Sequence, residues 1–236
     1  MSLLHYRFNQ AQPYFRVAKF HDTLVRGLLD FRASPNSSTE PCPAVITTQF
    51  RPVYTCGRRD VGKIAAAQRA YLQADGRADF FEASRGGQTT FHGPGQLVAY
   101  PVLDLKRHGI SPRDYVRLLE DSVIETCRIH GVSAGVTQDP GVWTSPEKKI
   151  CAVGIHLRRW VTSHGIGLNV NTDLWWFDRI IACGLPDKEA TSLQKEGVDD
   201  LEIDVVATEF VNILARRLRI NVVEDKIMAD SDAMDP

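Results

Sequence analysis

The 236 residues contain neither of the glycine-loop patterns that cradle nucleotide phosphates: G-x-x-x-x-G-K-[ST] and G-x-G-x-x-G are both absent. H-E-x-x-H is missing too. The five cysteines, Cys42, Cys56, Cys127, Cys151 and Cys183, include no C-x-x-C pair, so no structural zinc site is expected, and their odd number excludes a complete disulfide framework. No apolar run approaches the ~20 residues of a membrane span. No charged, apolar and small-residue succession marks a secretory signal, so a soluble intracellular protein is expected. Charge of either sign is not in excess: Lys+Arg of 28 against Asp+Glu of 29 leaves −1. Nothing global therefore draws the chain to nucleic acid or an anionic membrane, and its partners are expected to be small molecules or proteins. Acid is missing from the first 21 residues, which hold Arg7, Arg16, Lys19 and two histidines. That composition suits a mitochondrial address, although the same residues also read as the start of the domain.

The 43% hydrophobic and 24% charged composition fits one globular domain. We expect it to span residues 1–220, with a polar Pro/Ser loop insertion at 33–43 and an acidic, disordered tail at 221–236. Leu3 to Phe8 reads as a strand, and Phe15, Val17, Phe20, Leu24, Leu28 and Phe31 place a helix over about 14–32. AVITTQF (44–50) and ADFFEAS (78–84) are strand-like, with a helical segment from Val61 to Leu72 between them. QLVAYPVLDL (96–105) is a further strand, in which Pro101 predicts an edge position or a bulge. In SPRDYVRLLEDSVIETCRIHG (111–131), Ser111 caps a helix, Pro112 starts it, Asp114 completes a capping box and Gly131 ends it. KICAVGIHL (149–157) and WVTSHGIGLNV (160–170) form a hairpin, DLWWFDRII (173–181) a short helix, and 205–220 a terminal helix. Strands and helices sharing one core make an α+β, or mixed α/β, domain.

The chemistry has to come from a few positions. Gly131 to Gly135 matches the G-x-S-x-G nucleophile elbow, but a helix precedes the serine where the elbow needs a strand, so a helix stop and turn is the better reading. Most free cysteines are small buried hydrophobes. Cys127 faces the apolar side of a helix, Cys42 lies in the polar insertion, and Cys56 and Cys151 lie in or beside strands. Cys183, in IIACGLP before Gly184 and Pro186, falls on a loop, where a reactive thiol can be reached. A neighbouring cation would raise its thiolate fraction. Lys149 enters a strand and can point inward where Lys148 points outward. Finally, RGGQTTFHGPGQ (85–96) puts four glycines into twelve residues, which means close backbone approach to something that is not held by a nucleotide loop.

Taken in order, RGGQTTFHGPGQLVAYPVLDL, GVWTSPEKKICAVGIHLRR, SHGIGLNVN and IIACGLPDKEATSL resemble the signature segments of the lipoyl(octanoyl) transferases, over about residues 4–220. That resemblance implies a biotin/lipoate protein ligase-like fold, a mixed sheet with flanking helices, and neither ATP nor metal. It implies that Cys183 takes the octanoyl group from acyl carrier protein as a thioester and that Lys149 lowers the thiol's pKa or handles its proton. Substrate-lining positions then fall on Arg85, Gly86, Gly87, Gln88, Thr89, Thr90, Phe91 and His92, on Ala152, Val153 and Gly154, and on Gly165, Ile166 and Gly167. The acceptors implied are lysines on the lipoyl domains of 2-oxoacid dehydrogenases and on the glycine cleavage H protein; a monomer is expected. Phe91 stands where the family usually has tyrosine and Ala182 where it often has proline. An ATP-dependent lipoate or biotin ligase on the same fold, or a non-catalytic lipoyl-domain or acyl-carrier binding protein, are the alternatives, and the role of Cys183 separates them.

Overall fold

A computed structural model of the chain describes residues 2–35, 39–180 and 188–229. In chain order the elements are β1 (Ser2–Phe8), α1 (Tyr14–Ala33), β2 (Ala44–Thr48), β3 (Val53–Cys56), α2 (Ala66–Gln73), β4 (Asp79–Glu82), β5 (Thr90–His92), β6 (Gln96–Val102), α3 (Leu105–His108) and α4 (Pro112–Ile129). Then follow β7 (Val142–Trp143), β8 (Lys148–Arg158), β9 (Val161–Asn169), a 3-10 helix (Leu174–Arg179), β10 (Glu189–Ala190), α5 (Ile203–Arg217) and β11 (Val222–Met228).

The main sheet has the order β10-β8-β9-β6-β2-β1-β11, with β7 also paired to β8. Its left half is antiparallel from β8 through β2, while β1 runs parallel to both β2 and β11. A parallel pair cannot be joined by a tight turn, and α1 supplies the crossover from β1 to β2. One face of the sheet, carrying Leu97, Ala99, Cys151, Ile166 and Leu168, packs on α4 and α5 in the larger core. The other carries Ile46, Val98 and Tyr100 and meets Tyr14 and Val17 of α1 together with Val53 of β3. A second, three-stranded sheet, β4-β3-β5, packs its own aromatic core on the 3-10 helix.

Local chemistry accounts for the elements that were expected. At the start of α4 the Ser111 hydroxyl accepts the Asp114 N–H at 3.2 Å and donates to its carboxylate at 2.6 Å, and Gly131 past the end has φ of +76°. The β8–β9 hairpin turns at Arg159 and Trp160, whose φ values of +49° and +70° match the handedness of two-residue hairpin loops.

Three expectations are corrected. Residues 222–228 of the expected tail form β11, paired along its length with β1; there the adjacent acids Glu224 and Asp225 fall on opposite faces while the backbone completes the sheet. The helix expected from Val61 begins at Ala66, because Gly62, at φ of +73°, turns the chain before it. Pro101 sits on an interior strand: β6 lies between β9 and β2. Its missing N–H shows instead as a gap in the β6–β9 ladder, which pairs Ala99 with Ile166 and resumes at the Asp104–Val161 bridge. Across that gap His164 adopts φ of +58° and turns its N–H to His21 Nε2 on α1, 3.2 Å away.

Candidate functional site

β10 and β7 cover the outer edge of β8 only as far as Cys151. Beyond it the glycine loop takes over, with the Gly86 N–H donating to the Ile155 carbonyl at 2.9 Å. A cavity of about 350 Å³ opens between this loop and the hairpin, within the usual range for small-molecule sites. Its floor follows from strand alternation. Ala152 pairs with Gly167 and Gly154 with Gly165, so four of the smallest side chains lie together on one face. The loop residues Arg85, Gly86, Gly87, Gln88, Thr89 and Thr90 line one wall with His92, and Val153, Ile155 and Ile166 line the cavity beside the floor. Val116 of α4, Asp139, Pro140, Lys149, Phe177, Ile180 and Ala190 complete the lining, Lys149 and Ala190 as paired residues of β8 and β10. A largely apolar slot of this size suits a fatty acyl chain.

Arg85 holds the wall rather than facing the slot with its charge. It is 7% exposed; its Nε and Nη2 donate to the Thr55 hydroxyl at 3.2 and 2.8 Å, Nη2 also to the Thr55 carbonyl, and Nη1 to the carbonyls of Gly86 and Gln88. The loop is thus clamped to β3 by one guanidinium. Gly57 leaves the room this requires, since a Cβ there would overlap the Gly87 carbonyl.

His92 is set by a chain of amides. Gln96 donates its amide nitrogen to Asn169 Oδ1 at 2.9 Å and to the Phe91 carbonyl, which leaves Oε1 to accept from His92 Nδ1 at 2.6 Å. Asn169 in turn donates to the Thr191 carbonyl. The imidazole is therefore the Nδ1–H tautomer, and its Nε2 is a buried lone pair with no partner among the described residues. Burial, aided by Arg85, pushes its pKa down to about 3, so the ring is neutral at physiological pH.

Phe91 is the one expected lining residue that is not in the cavity wall. On β5 it alternates with Thr90 and His92, and its ring turns to the other side, stacked on Trp176 at 5.0 Å and edge-on to Phe177. A phenol there would meet an apolar cluster, so phenylalanine is the fitting residue.

Lys149 lines the cavity, with Nζ 4.7 Å from the centre of the buried Trp143 ring, and Lys148 does not. Gly141, at φ of +119°, gives it passage: a Cβ there would sit 2.8 Å from Lys149 Cε. Cys183 lies outside the described residues, between Ile180 and Ala190, both of which line the cavity. The rival thiols are poorly placed. Cys151 is fully buried in the core, where burial pushes its pKa well up; burial does the same to Cys56 and takes Cys127 to about 12. Cys42 is exposed but not part of the cavity. Among the described residues no cluster of His, Cys, Asp or Glu could hold a metal ion. The sequence did not single out Gln96, Tyr100 or Asn169, whose only signal was an unusual polar or phenolic residue on a buried strand.

A mixed sheet with an acyl-sized slot under a glycine loop defines a lipoate and biotin ligase-like catalytic domain. A putative lipoate protein ligase from T. acidophilum superposes with a TM-score of 0.69 over 98% of this chain and 90% of that one, at 16% identity. Residues 23–215 match the lipoyl protein ligase A/B catalytic domain family. The probable octanoyltransferase of Schizosaccharomyces pombe is 44% identical over 80% of this chain and 84% of that protein. The mitochondrial octanoyl-[acyl-carrier-protein]:protein N-octanoyltransferase of Danio rerio is 45% identical over 75% of each. The octanoyltransferase of Flavobacterium johnsoniae is 41% identical over 90% of this chain and 95% of its own length. The chain belongs to the lipoyl protein ligase A/B catalytic domain family and, within it, to the octanoyltransferases, which are acyltransferases.

Proposed function

We propose that the protein moves an octanoyl group from acyl carrier protein to a lysine of a lipoyl domain, through a thioester on Cys183. The observation that carries this reading is the apolar slot itself, which gathers the glycine loop, Lys149 and both flanks of the Cys183 segment. In the first step the Cys183 thiolate attacks the donor's thioester carbonyl and the carrier thiol leaves. In the second the acceptor amine attacks the acyl-Cys183 carbonyl, forming an amide and releasing the thiol. Lys149 stabilises the thiolate by its charge and exchanges the proton between thiol, carrier sulfur and incoming amine. Thioester exchange is near balance and amide formation is downhill, so no nucleotide is required.

Acceptors of the 2-oxoacid dehydrogenase and H-protein classes, and action as a monomer, belong to the same reading. Mitochondrial placement is supported by the Danio rerio relative, whereas the bacterial relative is equally compatible with a cytoplasm. The acid-free stretch gives no support, since residues 2–8 and 14–21 are built into β1 and α1.

Intact-mass measurement after mixing with octanoyl-carrier protein tests the mechanism. The expected result is one octanoyl adduct that hydroxylamine removes and that C183A lacks, with transfer to a lipoyl domain independent of ATP. An adduct that survives in C183A, or turnover that needs ATP, sinks the proposal. No adduct of any kind would leave a binding protein.

A further inference from the structure

The segments beside the glycine loop carry charge that the transfer chemistry above does not use. Arg58 and Arg59 follow β3, and their backbone N–H groups donate to the Arg85 and Gly87 carbonyls, so their position is tied to the glycine loop. Gly154, His156 and Arg158 share one face of β8, the face on which Gly154 meets Arg85 and the Gly86 carbonyl. The Arg58, Arg59 and Arg158 guanidinium groups are exposed and the His156 imidazole is half-buried; of these, Arg59 lines the cavity. The Arg58, Arg59 and Arg158 side chains have no hydrogen bond or ion pair among the described residues, whereas Arg32, Arg107, Arg216 and Arg217 each sit on a carboxylate. Nearby acids do not neutralise them. Asp60 is engaged by the Thr89 N–H and hydroxyl, and Glu82, which shares a shallow hollow with Arg58, makes no ion pair among the described residues. The field is felt: after burial, Arg58 and Arg158 are the groups that lower the His156 pKa.

We propose that Arg58 and Arg158, with His156 between them, form a subsite for the phosphate that joins a carrier protein to its pantetheine thioester arm. The proposal rests on the octanoyl-transfer reading. A thioester lodged in the slot must lead outward through a pantetheine chain to a phosphodiester, and the unpaired guanidiniums stand where the glycine loop meets solvent. Arginine also suits the ligand, because its planar fork gives charge-assisted paired hydrogen bonds to phosphate oxygens.

Two soluble donors that differ by one phosphate separate the outcomes: S-octanoyl-pantetheine and S-octanoyl-4′-phosphopantetheine, each used to acylate the full chain before transfer to a lipoyl domain. The unaltered protein should prefer the phosphorylated donor by about tenfold in kcat/KM. R58A/R158A should lose that preference while using octanoyl-pantetheine at the original rate, and Arg158→Glu should turn it into discrimination against the phosphate. The proposal is overturned if the unaltered protein shows no preference, if R58A/R158A keeps it, or if both donors suffer equally. A change confined to the KM for the lipoyl domain overturns it as well and assigns the arginines to the acceptor. Failure of the octanoyl-transfer reading looks different, since neither donor would then acylate the unaltered protein.

Discussion

Lys149 is presented to the cavity by two neighbours, the Trp143 ring under its ammonium and the absent side chain of Gly141. A half-buried cation on an aromatic face gains about 1–2 kcal/mol, roughly a tenfold effect on the occupancy of one position. Trp143→Leu should therefore slow acylation of Cys183 about tenfold at neutral pH by the same cation–π estimate, with partial recovery at high pH, where thiolate no longer depends on the lysine. Trp143→Tyr keeps the ring face and should keep most of the rate. Single-turnover acylation followed by intact mass across pH checks this, and equal losses in the two variants would remove the ring from the account. The floor offers a second test. Ala152→Leu projects a larger side chain between Gly167 and the loop, and each methylene of acyl chain it displaces forfeits about 0.8 kcal/mol. Octanoyl donors should weaken and hexanoyl donors overtake them in competition; an unchanged chain-length profile would mean that the acyl group does not run along this floor. At this scale the glycines of the loop announce close backbone approach before any coordinate is known, whereas those of the hairpin were named only through the family resemblance. Phe91 was misplaced because alternation on a three-residue strand flips it away from its neighbours. Gln96 and Asn169 went unread because a polar residue on a buried strand does not name its partner until the β6–β9 register brings the two together.

Elements with their own stop and start signals were legible, and those defined by a partner were not. The α4 cap and the β8–β9 turn follow from residues within one or two turns of each other, so the local sequence contains the answer. β11 follows from nothing local. Its sequence VVEDKIM exposes charge on both faces, and it becomes a strand because β1, more than two hundred residues earlier, offers a full row of backbone partners. Long-range contact also explains Pro101, whose gap is accommodated where α1 brings His21 up to take the His164 N–H and where the Thr162 hydroxyl joins the Leu103 N–H and the Pro101 carbonyl. One side-chain tie locks β11 in register. His5, 1% exposed, bonds through Nδ1 to Asp225 at 2.7 Å and through Nε2 to the Thr47 hydroxyl at 2.7 Å, linking three adjacent strands. Asp225→Ala leaves a buried ring nitrogen without its partner and should cost about 1–3 kcal/mol, read as a lower urea midpoint. Asp225→Asn, which still offers an oxygen, should recover much of it. Loss of stability confined to double variants, with Asp225→Ala silent, would show that backbone pairing alone holds the strand.

For the molecule as a whole, the packing of α1 and the glycine loop onto one face of the sheet buries three neutral histidines. Burial lowers His21 to about 4 and His92 to about 3, and His164 falls well below its ordinary value through burial and then through His21. Rings of His21 and His164 lie 5.2 Å apart, and Tyr100 contacts both. In the unfolded chain each titrates near 6.5. Below that pH the unfolded state binds protons that the native state refuses, so their contribution is fully present above pH ~6.5 and is lost as the pH falls toward their folded values. Each refused proton steepens the decline by at most about 1.4 kcal/mol per pH unit. Arg85 adds to the effect, because it lowers both His92 and His164 while clamping the loop over the cavity. A proton entering this cluster would set a second cation against that clamp, so activity should fail over the same acid range that weakens the fold. Urea midpoints at pH 7.5, 6.5, 5.5 and about 4.5 should decline below the histidine range, and His21→Gln, which keeps an acceptor for the His164 N–H but cannot titrate, should make the decline shallower. An identical slope with and without His21 would move the source of acid sensitivity to the carboxylates, and with it the link between this histidine cluster and the loop that closes the site.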